Sequence, residues 1–117
     1  MEKTEILESL RKVFDPEYPL SVVDLKIVEE KDVFFDGDKV RIEFTPTTPY
    51  CPMGGIIGVL IKYALENKFN REFEVKVKAG AHAQGEMLNE MLSSKEKYDE
   101  TVKRLKTAGI LERCIKA

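Results

Sequence analysis

Between residues 39 and 79 the apolar pattern changes period twice, and few folds accommodate that change. Residues 39–45 alternate, with Val40, Ile42 and Phe44 on one face and Arg41, Glu43 and Thr45 on the other, the period of a half-wet strand. Residues 53–68 then carry Ile56, Ile57, Val59, Leu60, Ile61, Ala64 and Leu65. That stretch is apolar on most sides of a helix, so it is the expected most buried helix of the chain. Alternation resumes at Phe73, Val75, Val77 and Ala79 against Glu74, Lys76 and Lys78. Strand, helix and strand make a crossover, right-handed if its strands run parallel in one sheet. Both strands would then release their loops at the same sheet edge, where α/β architectures place their sites.

The flanking segments complete the outline. Ile6, Leu7, Leu10, Val13 and Phe14 share a helical face behind Thr4 as the expected N-cap,. The helix should stop at Asp15-Pro16, because a proline disfavours helical geometry in the residue before it. Asp15 to Pro19 reads as a stiff loop, and Ser21 to Asp24 has the spacing of a capping box opening one helical turn,. Residues 26–35 read as a strand joined to 39–45 through the turn Asp36-Gly37-Asp38,. Met87, Leu88, Met91 and Leu92 predict a short helix over 86–92. Ser93 with Glu96 predicts the start of another, ending at Gly109, and Ile110 to Ile115 closes the chain as a short apolar-faced segment,. The order αββαβαα describes an α+β two-layer sandwich with a small mixed three-stranded sheet, one domain over residues 1–117,.

Composition narrows the function classes. With 19 basic against 21 acidic residues among 117, the chain lacks the charge of a bulk nucleic-acid binder,. The longest apolar run, Met53 to Ile61, stops at Lys62, about half of a membrane span,. Met1 to Arg11 mixes charge with aliphatics and forms no signal core, so neither membrane nor export is expected,. The two cysteines, Cys51 and Cys114, are then free thiols in a reducing cytoplasm,. Two thiols and one histidine cannot build a four-thiolate site within one chain.

The segment Thr45-Pro46-Thr47-Thr48-Pro49-Tyr50-Cys51-Pro52 is where chemistry is expected. Its three prolines remove backbone freedom and hold Cys51 in place. Pro52 suits a first helical position, so Cys51 becomes the expected N-cap of the helix over 53–68. A thiol there faces bare amides and the positive end of the helix dipole, which favours thiolate. Gly54 and Gly55 weaken the helix start, a cost that makes sense if bare backbone approaches a ligand, a cluster sulfide or a partner,. A packed cysteine on a proline-rich turn explains the same residues without chemistry. His82, the only histidine, follows the third strand and could ligate metal, raise the thiolate fraction of Cys51, or simply hydrogen-bond at the surface,. Thr48 and Cys51 fit the T-x-x-C of peroxiredoxins, but Phe44 stands where that motif needs proline, and a C-x-x-C pair is missing. A Cys51–His82 hydrolase or transferase lacks an evident acidic orienting partner, so no enzyme is expected. Asp15, Glu17 and Asp24 could form a small acidic cluster, but turn and capping roles explain them as well, and Cys114 fits packing.

Together, LRKVFDPEYPLSVVDL at 10–25, FTPTTPYCPM at 44–53 and GAHAQGEMLNEML with SSKEK at 80–97 resemble the small iron–sulfur assembly domain called domain of unknown function 59. That family includes SufT and cytosolic iron–sulfur assembly component 2, and the resemblance runs from about residue 5 to 112. It implies a small α+β domain acting in iron–sulfur protein maturation, with the family cysteine on Cys51, the histidine on His82 and the asparagine on Asn89. Thr48, Pro49, Pro52, Gly54 and Gly55 are the supporting residues of that turn. The implied cargo is iron or an iron–sulfur cluster held transiently on Cys51. One thiolate leaves coordination positions open, which His82 or the Cys51 of a second copy in a homodimer could fill. The implied partners are iron–sulfur carrier or client proteins, or, in a PaaD-like adaptor, proteins docked without cysteine chemistry. Gly85, Ser94 and Lys97 depart from the eukaryotic pattern, which has glutamate, aspartate and arginine there.

Overall fold

Alternation in residues 39–44 builds the central strand of a three-stranded sheet. The computed structural model describes residues 2–15, 20–45, 54–78, 80 and 85–115. Within them β1 (Val33–Asp36), β2 (Lys39–Phe44) and β3 (Glu74–Val77) lie in the order β1-β2-β3. β1 is antiparallel to β2, and β3 is parallel to it. The helices are α1 (Lys3–Leu10), α2 (Gly54–Phe69), α3 (Gly85–Ser93), α4 (Lys95–Thr107) and α5 (Ile110–Cys114). The expected α+β layout with a small mixed sheet is therefore the observed one.

Burial follows the periods. Val40, Ile42 and Phe44 of β2 and Val75 and Val77 of β3 all face the core, at no more than 4% exposure. Across from them α2 buries Ile57, Val59, Leu60, Ile61 and Leu65 completely, as expected of the most apolar helix,. Gly58 of the same helix permits the closest approach. A Cβ built there would meet Phe44 Cε1 and Leu92 Cδ1 at 2.9 Å, so β2, α2 and α3 pack through a bare backbone position,.

Several boundaries differ from the sequence expectation. α1 is capped by Glu2, whose N–H donates to Glu5 Oε1 at 3.2 Å, and Thr4 sits inside its first turn. The helix ends at Leu10 because Val13 and Phe14 bridge to Ile115 and Ser21, with Val22 N–H donating to Val13 O at 2.9 Å. Val13 still joins the core, from extended backbone. The strand expected over 26–35 is reduced to Val33–Asp36. Lys26 takes a φ of 60°, and Glu30–Asp32 coil into a 3-10 turn in which Asp32 Oδ2 accepts from Glu29 N–H at 2.9 Å. Ile27 and Val28 therefore reach the core from a loop. The cap of α4 is Ser94, which accepts from Lys97 N–H at 3.4 Å, while Ser93 ends α3 and donates to Glu90 O. Gly109, at φ 75°, ends α4 as its position predicts,. Ser21 Oγ accepts from Asp24 N–H at 3.0 Å, the helical turn its spacing predicts. Cys114 is a buried free thiol. Among the described residues no helix is long and apolar enough to cross a membrane.

The outer edge of β3 is closed by side chains. Phe73 N–H donates to Glu66 Oε2 at 3.1 Å, Phe73 O accepts from Lys62 Nζ at 2.6 Å, and Val77 N–H donates to Asn89 Oδ1 at 2.7 Å. Groups from α2 and α3 thus stand in for a fourth strand.

Candidate functional site

Phe44 and Val77 are in register on parallel strands, so the chain leaves β2 and β3 at one end of the sheet. Lys78 N–H donates to Phe44 O at 2.8 Å and Thr45 N–H to Ile27 O at 2.9 Å, which fixes both exits. The connection bearing Cys51 joins Thr45 to Gly54, and the one bearing His82 joins Gly80 to Gly85. Adjacent exits are what the parallel-strand expectation required. Thr48, Pro49, Cys51, Pro52 and His82, and with them the proposed cap of α2, lie outside the described residues, as does Glu17. Gly54 and Gly55 are the first two residues of α2.

Asn89 is placed, and its position explains a residue type. It sits on α3, and its side-chain oxygen satisfies the Val77 amide at the last residue of β3. A hydrocarbon side chain could not accept that bond. Asn89→Ala is expected to cost about 1–3 kcal/mol, the penalty for a part-buried amide left without an acceptor, and chemical denaturation measures it. The neighbouring Glu90 is exposed, and the Lys97 ammonium at 2.8 Å holds its carboxyl below the usual carboxylate range. Lys97, one of the departures from the eukaryotic pattern, here ties α3 to α4.

The same sheet end carries a pair that sequence reasoning missed. Asp32, 2% exposed, precedes β1 and accepts from Lys78 Nζ at 2.5 Å, while its other oxygen accepts from the Glu29 amide. β1 begins where β2 ends, so this pair links the two outer strands across the exit of the central one. Alternation alone marks Lys78 as a wet residue, and Asp32 is 46 positions away. Asp32 ends the charged run Glu29-Glu30-Lys31-Asp32, so nothing in the local sequence sets it apart from its solvated neighbours. Of the acidic residues considered for a cluster, Asp15 N–H donates to Leu20 O at 3.1 Å and Asp24 N–H to Ser21 Oγ at 3.0 Å, both in turns, and the Asp24 carboxylate lies 4.0 Å from Arg11 on an exposed surface. Among the described residues no group of three or more histidine, cysteine or acidic side chains is arranged to hold a metal ion.

Comparison with known proteins agrees with this frame. A family model described as iron–sulfur cluster assembly protein matches residues 3–79. The MIP18 family protein galla-2 of Drosophila melanogaster is 32% identical over 120 aligned residues, covering 99% of this chain and 77% of its own. Mouse cytosolic iron-sulfur assembly component 2B is 30% identical, covering 97% of this chain and 72% of its own. Among solved structures, a domain of unknown function, DUF59, from Bacillus anthracis superposes with a TM-score of 0.60 at 26% identity, over 86% of this chain and 91% of that one.

Proposed function

The chain belongs to the iron–sulfur cluster assembly protein family, and from that membership we propose that it is a non-enzymatic accessory factor that helps deliver iron or an iron–sulfur cluster to client proteins in the cytoplasm. The match over residues 3–79 carries this reading, because it takes in the proline-rich turn around Cys51. Cys51 is the working thiol. Thr48, Pro49 and Pro52 restrain it, and Gly54 and Gly55 keep the first amides of α2 free of side chains. The bare amides and positive dipole end of a helix start ease ionisation of a thiol and so favour the thiolate, the form that binds iron. One thiolate leaves most coordination positions of an iron ion open, which suits a cargo that must be passed on. His82 would act beside Cys51, as a second ligand or as a base that keeps the thiol ionised. Asn89 acts at a distance, by holding the strand from which the His82 connection leaves.

The test is client maturation in a strain that depends on this chain. Cys51→Ala should lower client enzyme activity about tenfold or more, with client protein levels unchanged, and alkylation of Cys51 should proceed below the ordinary thiol range near pH 8.5. Full client activity with Cys51→Ala would overturn the thiol role and leave a docking adaptor of the PaaD-like kind.

A further inference from the structure

The two edges of the sheet are finished differently. The β3 edge is closed by Glu66, Lys62 and Asn89, whereas β1 carries aromatic residues. Phe34 and Phe35 are 37% and 44% exposed, two of the few large apolar side chains so placed among the described residues. The hairpin closes on the Asp36–Lys39 pair through Gly37, whose φ of 62° suits the first central position of a two-residue turn,. In such a hairpin Asp36 and Phe34 direct their backbone groups to β2, so the N–H and C=O of Phe35 point away from it. Exposed edges are ordinarily protected by charge, proline or a bulge, and two adjacent aromatic residues do the opposite.

We propose that this edge pairs with the same edge of a second copy of the chain, antiparallel, with Phe35 opposite Phe35 on the two-fold axis. That register uses what the edge presents. The backbone groups of the two Phe35 residues form a reciprocal pair of hydrogen bonds, and their rings cover each other on the helix-bearing face. On the opposite face Phe34 falls across from the second copy's Asp36. The Arg41 guanidinium stacks over the Phe34 ring at 4.5 Å, so it meets that carboxylate. Its Nε lies 3.1 Å from Glu43 Oε2, and its five N–H donors can serve a second acid. A second copy fits better than an unrelated strand because each contact is self-complementary and occurs twice. The product is a six-stranded sheet whose two β2 strands run antiparallel, so the two cargo ends face opposite directions. The inference does not depend on the role of Cys51.

Light scattering coupled to size exclusion tests it on the full chain. The wild type should run at twice the chain mass at micromolar concentration. Phe35→Pro removes only an outward N–H and keeps the β1–β2 ladder, so it should run at the chain mass with an unchanged circular dichroism spectrum. Asp36→Arg should weaken association about tenfold, two symmetric ion pairs at roughly 0.7 kcal/mol each. Adding Arg41→Asp should restore it, a rescue that keeps the test decisive even if Phe35→Pro fails to fold. A wild type at the chain mass throughout the micromolar range would overturn the proposal and leave the edge to another protein. A Phe35→Pro chain that remains dimeric, or a charge swap without rescue, would place the contact elsewhere and overturn it equally.

Discussion

Gly58→Ala is expected to lower the free energy of unfolding by about 1–3 kcal/mol, the usual cost of overfilling a packed core. An unhindered helix interior responds with the opposite sign, gaining roughly 1 kcal/mol from the same change. Here the added methyl would stand 2.9 Å from Leu92 Cδ1 and from Phe44 Cε1 and Cζ. The leucine methyl can swing aside. The Phe44 ring has 0% exposure and belongs to the last residue of β2, so it retreats only by moving the strand end that leads to Cys51. Urea unfolding measures the effect, and Phe44→Leu should recover part of it, making the double variant more stable than the two losses summed. A Gly58→Ala chain as stable as wild type would show that the contact has room to relax.

Lys78→Met should cost about 3 kcal/mol. Breaking a buried ion pair from one side typically costs about 3–5 kcal/mol, because the remaining charge stays buried without its partner. Asp32 is 2% exposed and, among the described residues, would keep only the Glu29 amide, whereas the Lys78 side chain is 35% exposed. Water entering where the ammonium stood brings the loss to the lower end. Combining Lys78→Met with Asp32→Asn removes the stranded charge, so the double variant should be more stable than Lys78→Met alone. Denaturation of the two single variants and the double completes the cycle. A loss below about 1 kcal/mol for Lys78→Met would mean that the pair behaves as a surface contact.

The crossover was legible because Val40, Ile42, Phe44, Val75 and Val77 report which face is buried without help from distant residues. The first strand was read too long for a local reason: Ile27 and Val28 are apolar and buried, but the left-handed Lys26 and the turn at Asp32 break the extended chain between them and Val33. Val13 misled in the same way, since a core residue at helical spacing also fits a bridge to Ile115. Ser93 and Ser94 are adjacent cap candidates, and the choice between them depends on where α3 ends, which is a packing outcome. At the site, the sequence pattern placed the two exits side by side, and the family resemblance singled out Asn89. The Asn89–Val77 and Asp32–Lys78 bonds join residues 12 and 46 positions apart. No local pattern encodes either contact.

The plugged border of β3 sets a ceiling on how this chain can assemble. A sheet that accepts neighbours on both sides can add copy after copy and grow into a fibril. With Glu66, Lys62 and Asn89 already bonded to the backbone of Phe73 and Val77, a strand arriving on that side must first displace them, so addition beyond the proposed β1 pairing is disfavoured. Three polar side chains thereby weigh against polymerisation.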